Sequence, residues 1–217
     1  RAAPYAGHMT ERTPHHPDRP LTHALHRAAT ERGLRSGDTL PDVPELFALV
    51  RDMPYARADT HEPAGIIAGW RGTCSTKHEL LAALLAEAGL RSTVMACTQE
   101  IRPPADAPAE LLALSGGQPV VDVHNYLVVH APQGDMTVDA TWPLAAAAAG
   151  LPVNAAWEWG QDQVIACTPL DTWAVPEGES VAAFKDRVLR ERYTSQELER
   201  REVFIQGVGR LFLAPSR

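Results

Sequence analysis

From Val120 to Thr141 the chain reads as two strands folded back on each other, and this hairpin constrains the fold more than any other stretch. Val121-Asp122-Val123-His124-Asn125-Tyr126-Leu127-Val128-Val129 alternates with period two. Asp122, His124, Tyr126 and Val128 fall on one face, and Val121, Val123, Asn125, Leu127 and Val129 on the other. Met136 to Thr141 is a shorter strand, joined through Pro132-Gln133-Gly134-Asp135 in the manner of a hairpin turn. That turn allows a register with Tyr126 opposite Asp139. His124 and Asp139 then share a face on diagonal positions, roughly 7–8 Å apart between backbones and within side-chain reach. A slip of one residue would turn Asp139 to the opposite face.

Ahead of the hairpin, Ser75 to Ala88 has helical periodicity, with Leu80, Leu81, Leu84 and Leu85 as its apolar positions, Thr76 and Glu79 at capping-box spacing, and Gly89 as its stop. Arg91 to Cys97 follows as a strand of mixed polarity. Ile101 to Pro119, rich in proline, alanine and glycine, is expected to loop outside the regular core. A helix followed by antiparallel strands predicts an α+β fold in which that helix packs on an antiparallel sheet with flanking helices. Those flanking elements read as short helices over Leu21 to Gly33 and Val43 to Arg51, and as helical segments over Ser180 to Arg190 and Ser195 to Arg201. Between them lie a run of alanines, a loop with Trp157 and Trp159, and a strand-like piece from Val164 to Cys167. The C-terminal third either caps the core or builds one wall of a substrate cleft. No internal repeat is visible.

A length of 217 residues with 45% hydrophobic content suits one domain over 21–217, with its core at about 66–143 and a C-terminal helical elaboration. Residues 1–8 read as a cloning remnant, because Gly7-His8-Met9 resembles a vector junction, and the polar, proline-rich 9–20 reads as a flexible leader. The 27 acidic residues outnumber the 20 basic ones for a net charge of −7, and the basic residues are scattered, so no nucleic-acid partner is expected. No apolar run approaches the roughly 20 residues that span a bilayer, and no export signal is visible. A cytoplasmic protein without a membrane partner is the expectation. Three cysteines cannot all pair, and none sits in a CxxC spacing, which points to a reduced thiol protein. His23 and His26 lie one helical turn apart without a further ligand type and read as a solvated face. No metal or other cofactor is expected, and the oligomeric state is left open.

Cys74, in Trp70-Arg71-Gly72-Thr73-Cys74-Ser75-Thr76-Lys77-His78, falls at the start of the leucine-rich helix. Unpaired N–H groups and the positive end of the helix dipole stabilise an anion there, so the thiol is expected to ionise well below its free pKa of about 8.5. Gly72 permits a close backbone approach just before it. Cys97 and Cys167 lie in apolar strand-like settings and read as core residues. His124 and Asp139 are polar residues among apolar neighbours. A buried carboxylate needs a partner, and the imidazole on the adjacent strand supplies one. Cys74 as nucleophile, His124 as base and Asp139 as the group that orients the imidazole form a triad.

These pieces resemble the transglutaminase-like superfamily, cysteine enzymes of papain-like architecture that share a helix-borne cysteine, a strand histidine and a strand aspartate. The resemblance rests on Gly72-Thr73-Cys74-Ser75-Thr76-Lys77-His78, Asp122-Val123-His124-Asn125-Tyr126 and Val138-Asp139-Ala140-Thr141-Trp142, roughly a third of the chain. It implies a thiol enzyme acting on an amide or thioester through a Cys-linked acyl intermediate, with water or an amine as acceptor. Protein-crosslinking members carry a tryptophan directly after the nucleophile, whereas Ser75 follows Cys74 here. Arylamine N-acetyltransferases are a related alternative, because they too place an arginine and a glycine before the cysteine, as Arg71 and Gly72 do. A silent binding module and a metal site on Cys74, His78, His124 and Asp139 are the remaining alternatives. The Cys74 N–H and Trp70 are the expected oxyanion donors. Lys77 and His78 are expected to meet an anionic substrate, with a packed helix turn as their other reading, and Tyr126 and Trp142 to border the substrate. Substrate choice is assigned to the 101–119 excursion and the loop near Trp157.

Overall fold

The computed structural model describes residues 18–103 and 105–213; the expected cloning remnant and residues 9–17 of the expected leader lie outside the described residues. In chain order the elements are α1 (Pro20–Glu31), α2 (Val43–Arg51), α3 (Pro63–Gly69), α4 (Cys74–Glu87), β1 (Arg91–Ile101), α5 (Ala109–Ser115), β2 (Val120–Ala131) and β3 (Gly134–Val138). A 3-10 helix (Leu144–Ala149), β4 (Thr172–Ala174), α6 (Val181–Arg192) and α7 (Ser195–Leu213) follow. The fold is α+β, with helices around one antiparallel sheet of order β3-β2-β1-β4.

The hairpin takes the register that its turn allows. Ala131 pairs with Gly134, so Pro132 and Gln133 alone make the turn, and Leu127 lies opposite Val138. Continued by one residue, this register brings Asp139 level with Tyr126, although Asp139 itself lies just beyond the end of β3. On the other side of β2, Cys97 pairs with His124 and Gln99 with Asp122.

α4 packs on β1 and β2. Leu80, Leu81, Leu84 and Leu85 are buried with Leu127, Val129, Met136 and Val138, and with Leu46, Phe47 and Val50 of α2. Each such side chain contributes roughly 1.5–3 kcal/mol by leaving water. Both ends of this packing are tied by polar bonds. Glu87 accepts from the Leu21 and Thr22 N–H groups at 2.8 Å, which caps α1 from the end of α4. Asp42 and Glu45 form a reciprocal capping box at 3.0 Å that starts α2 beside Pro44.

Several boundaries differ from the sequence expectation. The helix cap is Thr73, in extended backbone, with Thr76 as its partner: the Thr76 hydroxyl accepts from the Thr73 N–H at 3.0 Å. The Thr76–Glu79 spacing plays no capping part, because the helix has already begun at Cys74. α3 has no counterpart in the sequence reading; it opens on Pro63, which suits a first helical turn. β1 runs four residues past Cys97, and α5 forms inside the expected excursion. The strand expected over Val164 to Cys167 does not form. Asn154 holds both the N–H (3.1 Å) and the carbonyl (2.9 Å) of Val164 with its side-chain amide, in place of a ladder partner. The sheet edge is instead taken by β4. α7 extends twelve residues beyond Arg201. Among the described residues no helix is long and apolar enough to cross a membrane.

Candidate active site

Cys74 is the first residue of α4, and its lead-in is clamped. The Gly72 carbonyl accepts from the Ala56 N–H (3.3 Å), and the Gly72 N–H donates to the Pro54 carbonyl (3.2 Å). A Cβ on Gly72 would lie 2.8 Å from Thr76 Oγ1 and 3.0 Å from Lys77 Cγ, so the close approach requires glycine. One residue on, the Ser75 hydroxyl donates to Asn125 Oδ1 at 2.7 Å and fastens the helix start to β2 beside His124.

The structure brings Cys74, His124 and Asp139 together. His124 Nε2–H donates to Asp139 Oδ2 at 2.8 Å, and its ring is in hydrogen-bond contact with the Cys74 thiol. All three are buried, at 2 to 3% exposure. Burial alone would push the His124 pKa down, but the Asp139 carboxylate and the Cys74 sulfur hold it well above the ordinary histidine value. Burial would raise the Cys74 thiol, yet the Lys185 ammonium and the His124 contact outweigh it and bring the thiol down to about 6. Burial acts to raise Asp139 as well, and His124 keeps it far below the usual carboxylate range. The arrangement therefore favours a thiolate beside an imidazolium at neutral pH.

The loop after the 3-10 helix holds Asp139 in place. Oδ2 also accepts from the Ala166 N–H (2.7 Å), Oδ1 accepts from the Thr141 N–H (2.9 Å), Gln163 Oε1 accepts from the Asp139 N–H (2.8 Å), and Asn154 Nδ2 donates to its carbonyl (2.9 Å). The carboxylate thus has one orientation available.

Of the other expected residues, Trp142 borders a cavity beside Cys74 and His124, where it stacks on Tyr55 at 4.3 Å between ring centroids. Tyr126 lies flat against His124 at 6.4 Å, behind the imidazole, and does not line the cavity. Trp70 is not at the cavity either. It closes α3 in left-handed backbone (φ 48°), packs against the main core, and carries the Arg32 guanidinium over its ring at 4.8 Å. Lys77 is fully buried and donates to the carbonyls of Arg51 (2.8 Å) and Thr141 (2.9 Å), which leaves no route to an anionic substrate. His78 donates from Nδ1 to the Cys74 carbonyl (2.7 Å) and accepts at Nε2 from the Ala140 N–H (2.9 Å). Burial lowers its pKa to about 4, so it is a neutral strut, and with both nitrogens engaged it offers none to a metal. The packed-turn reading is the one these two residues follow.

Some site residues carry no signal in the sequence. Lys185, from α6, places Nζ 3.8 Å from Cys74 Sγ and 3.3 Å from Asp122 Oδ1. Arg201, from α7, donates to the same Asp122 oxygen at 2.6 Å. Asp122 is buried and, despite the upward push of burial, stays ionised because of these two cations. Gln99 lines the cavity with Cys74 and His124, and its side-chain amide makes no hydrogen bond to any described residue. α7 supplies Phe204, Ile205 and Val208 to the cavity, and β1 and α5 supply Ile101 and Leu111. The C-terminal third therefore lines this cavity with α7 and also packs over the sheet with Phe184, Val188 and Leu189 of α6. In the loop near Trp157, expected to shape substrate choice, Leu151 and Ala166 line the cavity, whereas Trp157 itself is buried against Phe47 at 5.9 Å in the main core. Cys97 and Cys167 face each other at 3.6 Å between sulfurs, a pairing that their spacing does not announce.

Comparison with protein-family models, with curated proteins and with solved structures finds no match.

Proposed function

We propose that the chain is a thiol acyl-transfer enzyme, with Cys74 as nucleophile, His124 as acid and base, and Asp139 as the group that fixes the imidazole. One observation carries the reading: a buried cysteine at a helix start, lowered to about 6, touches a histidine whose far nitrogen is held at 2.8 Å by a carboxylate. The order of helix cysteine, strand histidine and following aspartate supports a papain-like, transglutaminase-like core. So does the ring assignment, in which Nε2 serves the carboxylate and Nδ1 is left for the sulfur.

The Cys74 thiolate attacks the carbonyl carbon of an amide or thioester. The new C–S bond forms, the bond to the departing nitrogen or sulfur breaks, and His124 gives that atom its proton. Water or an amine then attacks the acyl-cysteine, returns a proton to His124 and releases the thiolate. The Cys74 N–H, which as the first of α4 has no intrahelical acceptor, meets the developing oxyanion. Gln99 replaces Trp70 as the second donor in this reading, because its unpaired amide lies on the cavity wall. A polar cleft lined by Thr73, Ser75, Lys185 and His61 adjoins the helix start, and in this reading the acceptor approaches from it.

Intact-mass analysis after mixing with activated amides and thioesters tests the reading. A stoichiometric acyl adduct, lost in Cys74→Ala, is the expected result. Failure of every donor to acylate a thiol that iodoacetamide does alkylate would refute it.

A further inference from the structure

Attack on a carbonyl asks nothing of Phe204 or Val208, yet these residues close the space beside Cys74. The cavity measures about 120 Å³ and is walled chiefly by Tyr55, Leu111, Trp142, Leu151, Phe204 and Val208. Its apolar wall comes from four separate parts of the chain, Tyr55 after α2, α5, the region around the 3-10 helix, and α7, so it is not the by-product of a single helix face. Apolar cavities near this size take a ring or a short hydrocarbon chain; one of about 150 Å³ holds benzene.

Two polar side chains on this wall have hydrogen-bonding capacity that the protein does not use. Thr141 Oγ1 is buried without a partner among the described residues, on a side chain 2% exposed. The Gln99 amide, on a residue 8% exposed, lines the same cavity and makes no hydrogen bond to any described residue, but it is not sealed as Thr141 Oγ1 is. Native interiors seldom leave such groups unmatched, and a bound group that supplies the partner resolves them. Two charged side chains also line the cavity, and both are paired: Asp122 is bound by Lys185 and Arg201 of the polar cleft, and the exposed Arg102 is bound to Glu100 at 2.6 Å. An anionic acyl chain would meet no unpaired cation among the described lining residues, because Arg102 is exposed and bound to Glu100.

We infer that this cavity is the acyl site, and that it takes a compact apolar acyl group, about six carbons long or one aromatic ring, with its carbonyl end turned to Gln99 and Thr141. The inference rests on the acyl-transfer reading and specifies its substrate class. The leaving group and the acceptor then use the polar cleft, which separates the two halves of the exchange by chemistry as well as by position.

A series of N-acetylcysteamine thioesters tests it, with acetyl, butanoyl, hexanoyl, benzoyl, decanoyl and succinyl groups, by timing the Cys74 adduct in intact mass under single-turnover conditions. The sulfur–acyl bond of the donor breaks as the Cys74–acyl bond forms, and N-acetylcysteamine leaves with the His124 proton. The rate is expected to rise roughly fourfold per methylene from acetyl to hexanoyl, and then to fall for decanoyl. Succinyl is expected to lag butanoyl by at least tenfold. Val208→Phe, which fills the wall, should move the optimum toward acetyl, and Leu111→Ala should move it to longer chains. Rates independent of chain length, or succinyl matching butanoyl, would overturn the acyl site while leaving the acyl-transfer reading intact. A folded Val208→Phe with an unmoved optimum would do the same. Absence of any adduct would overturn both. The wild-type series decides by itself if neither variant folds.

Discussion

Two lysines show how differently two regions of this molecule serve one sulfur atom. Lys77 stands three residues from Cys74 on the same helix and is sealed in the core, with its ammonium held by the Arg51 and Thr141 carbonyls. Lys185 stands 111 residues away on α6 and comes within 3.8 Å of the sulfur. The unit from α4 to Asp139 holds the groups proposed to react and the rigidity beneath them. The C-terminal segment supplies the charge that keeps the thiol ionised and the wall that shapes the space. Proximity in sequence therefore predicts support, and proximity in the fold predicts the electrostatics.

The largest effects should come from the first region. Cys74→Ala is expected to abolish acyl-adduct formation with little change in denaturation midpoint, because a small buried side chain is replaced by a smaller one. Retention of the adduct would move the nucleophile elsewhere. Asp139→Asn should lower the acylation rate by about 10³-fold or more, since the imidazole loses the carboxylate that fixes its tautomer and charge. A loss under tenfold would show that the Ala166 and Thr141 contacts orient His124 without the charge.

The second region should act through pH. With the thiol at about 6, alkylation of Cys74 is expected to be near its plateau at neutral pH and to fall as pH drops through 6, because the thiolate is the reactive form. Lys185→Met removes an opposite charge and should raise the thiol by about one unit. At pH 6 that cuts the thiolate fraction about fivefold, whereas at pH 9 the two proteins should react alike. An unchanged pH profile would deny Lys185 any electrostatic part. Methionine keeps most of the aliphatic packing against α4, so a purely structural role would not move the midpoint of this curve.

How much of this was legible in the sequence follows from the range of the forces involved. The hairpin register could be read because side-chain period two and turn length fix parity locally, and Leu127 opposite Val138 follows from Pro132 and Gln133. The Cys74 helix could be read because Gly72, Thr73 and the leucines lie within one short stretch. Lys185, Gln99 and the α7 wall could not be read, because their roles depend on which helix crosses which strand, and no local pattern states that. Lys77 and His78 carried a misleading signal: a polar residue next to a nucleophile suggests substrate contact, and only burial shows that both satisfy backbone groups. The stretch from Val164 to Cys167 departs from its composition for a related reason. Val164 to Cys167 has strand composition, but its partners are the Asn154 and Asp139 side chains, which composition does not reveal.

The two lysines also allow the smallest and most selective test. Burial depresses Lys77 to about 7, whereas an unfolded lysine titrates near 10.4. Between those values the unfolded chain holds a proton that the folded chain has lost, so the unfolded state binds more protons and stability rises with pH across the window. In Lys77→Met that contribution is absent. The wild type is therefore expected to gain stability relative to Lys77→Met from pH 7 to 10, by an amount on the order of 4 kcal/mol at most, as read from denaturant midpoints. The variant's Cys74 alkylation profile should stay within about half a unit of the wild type, since Lys77 is a minor charge for the thiol beside Lys185 and His124. A parallel pH dependence of stability in the two proteins would mean that Lys77 keeps its proton when folded. A displaced alkylation profile would place Lys77 with Lys185 in the electrostatics of the site, and the division of labour between the two regions would fail at that residue.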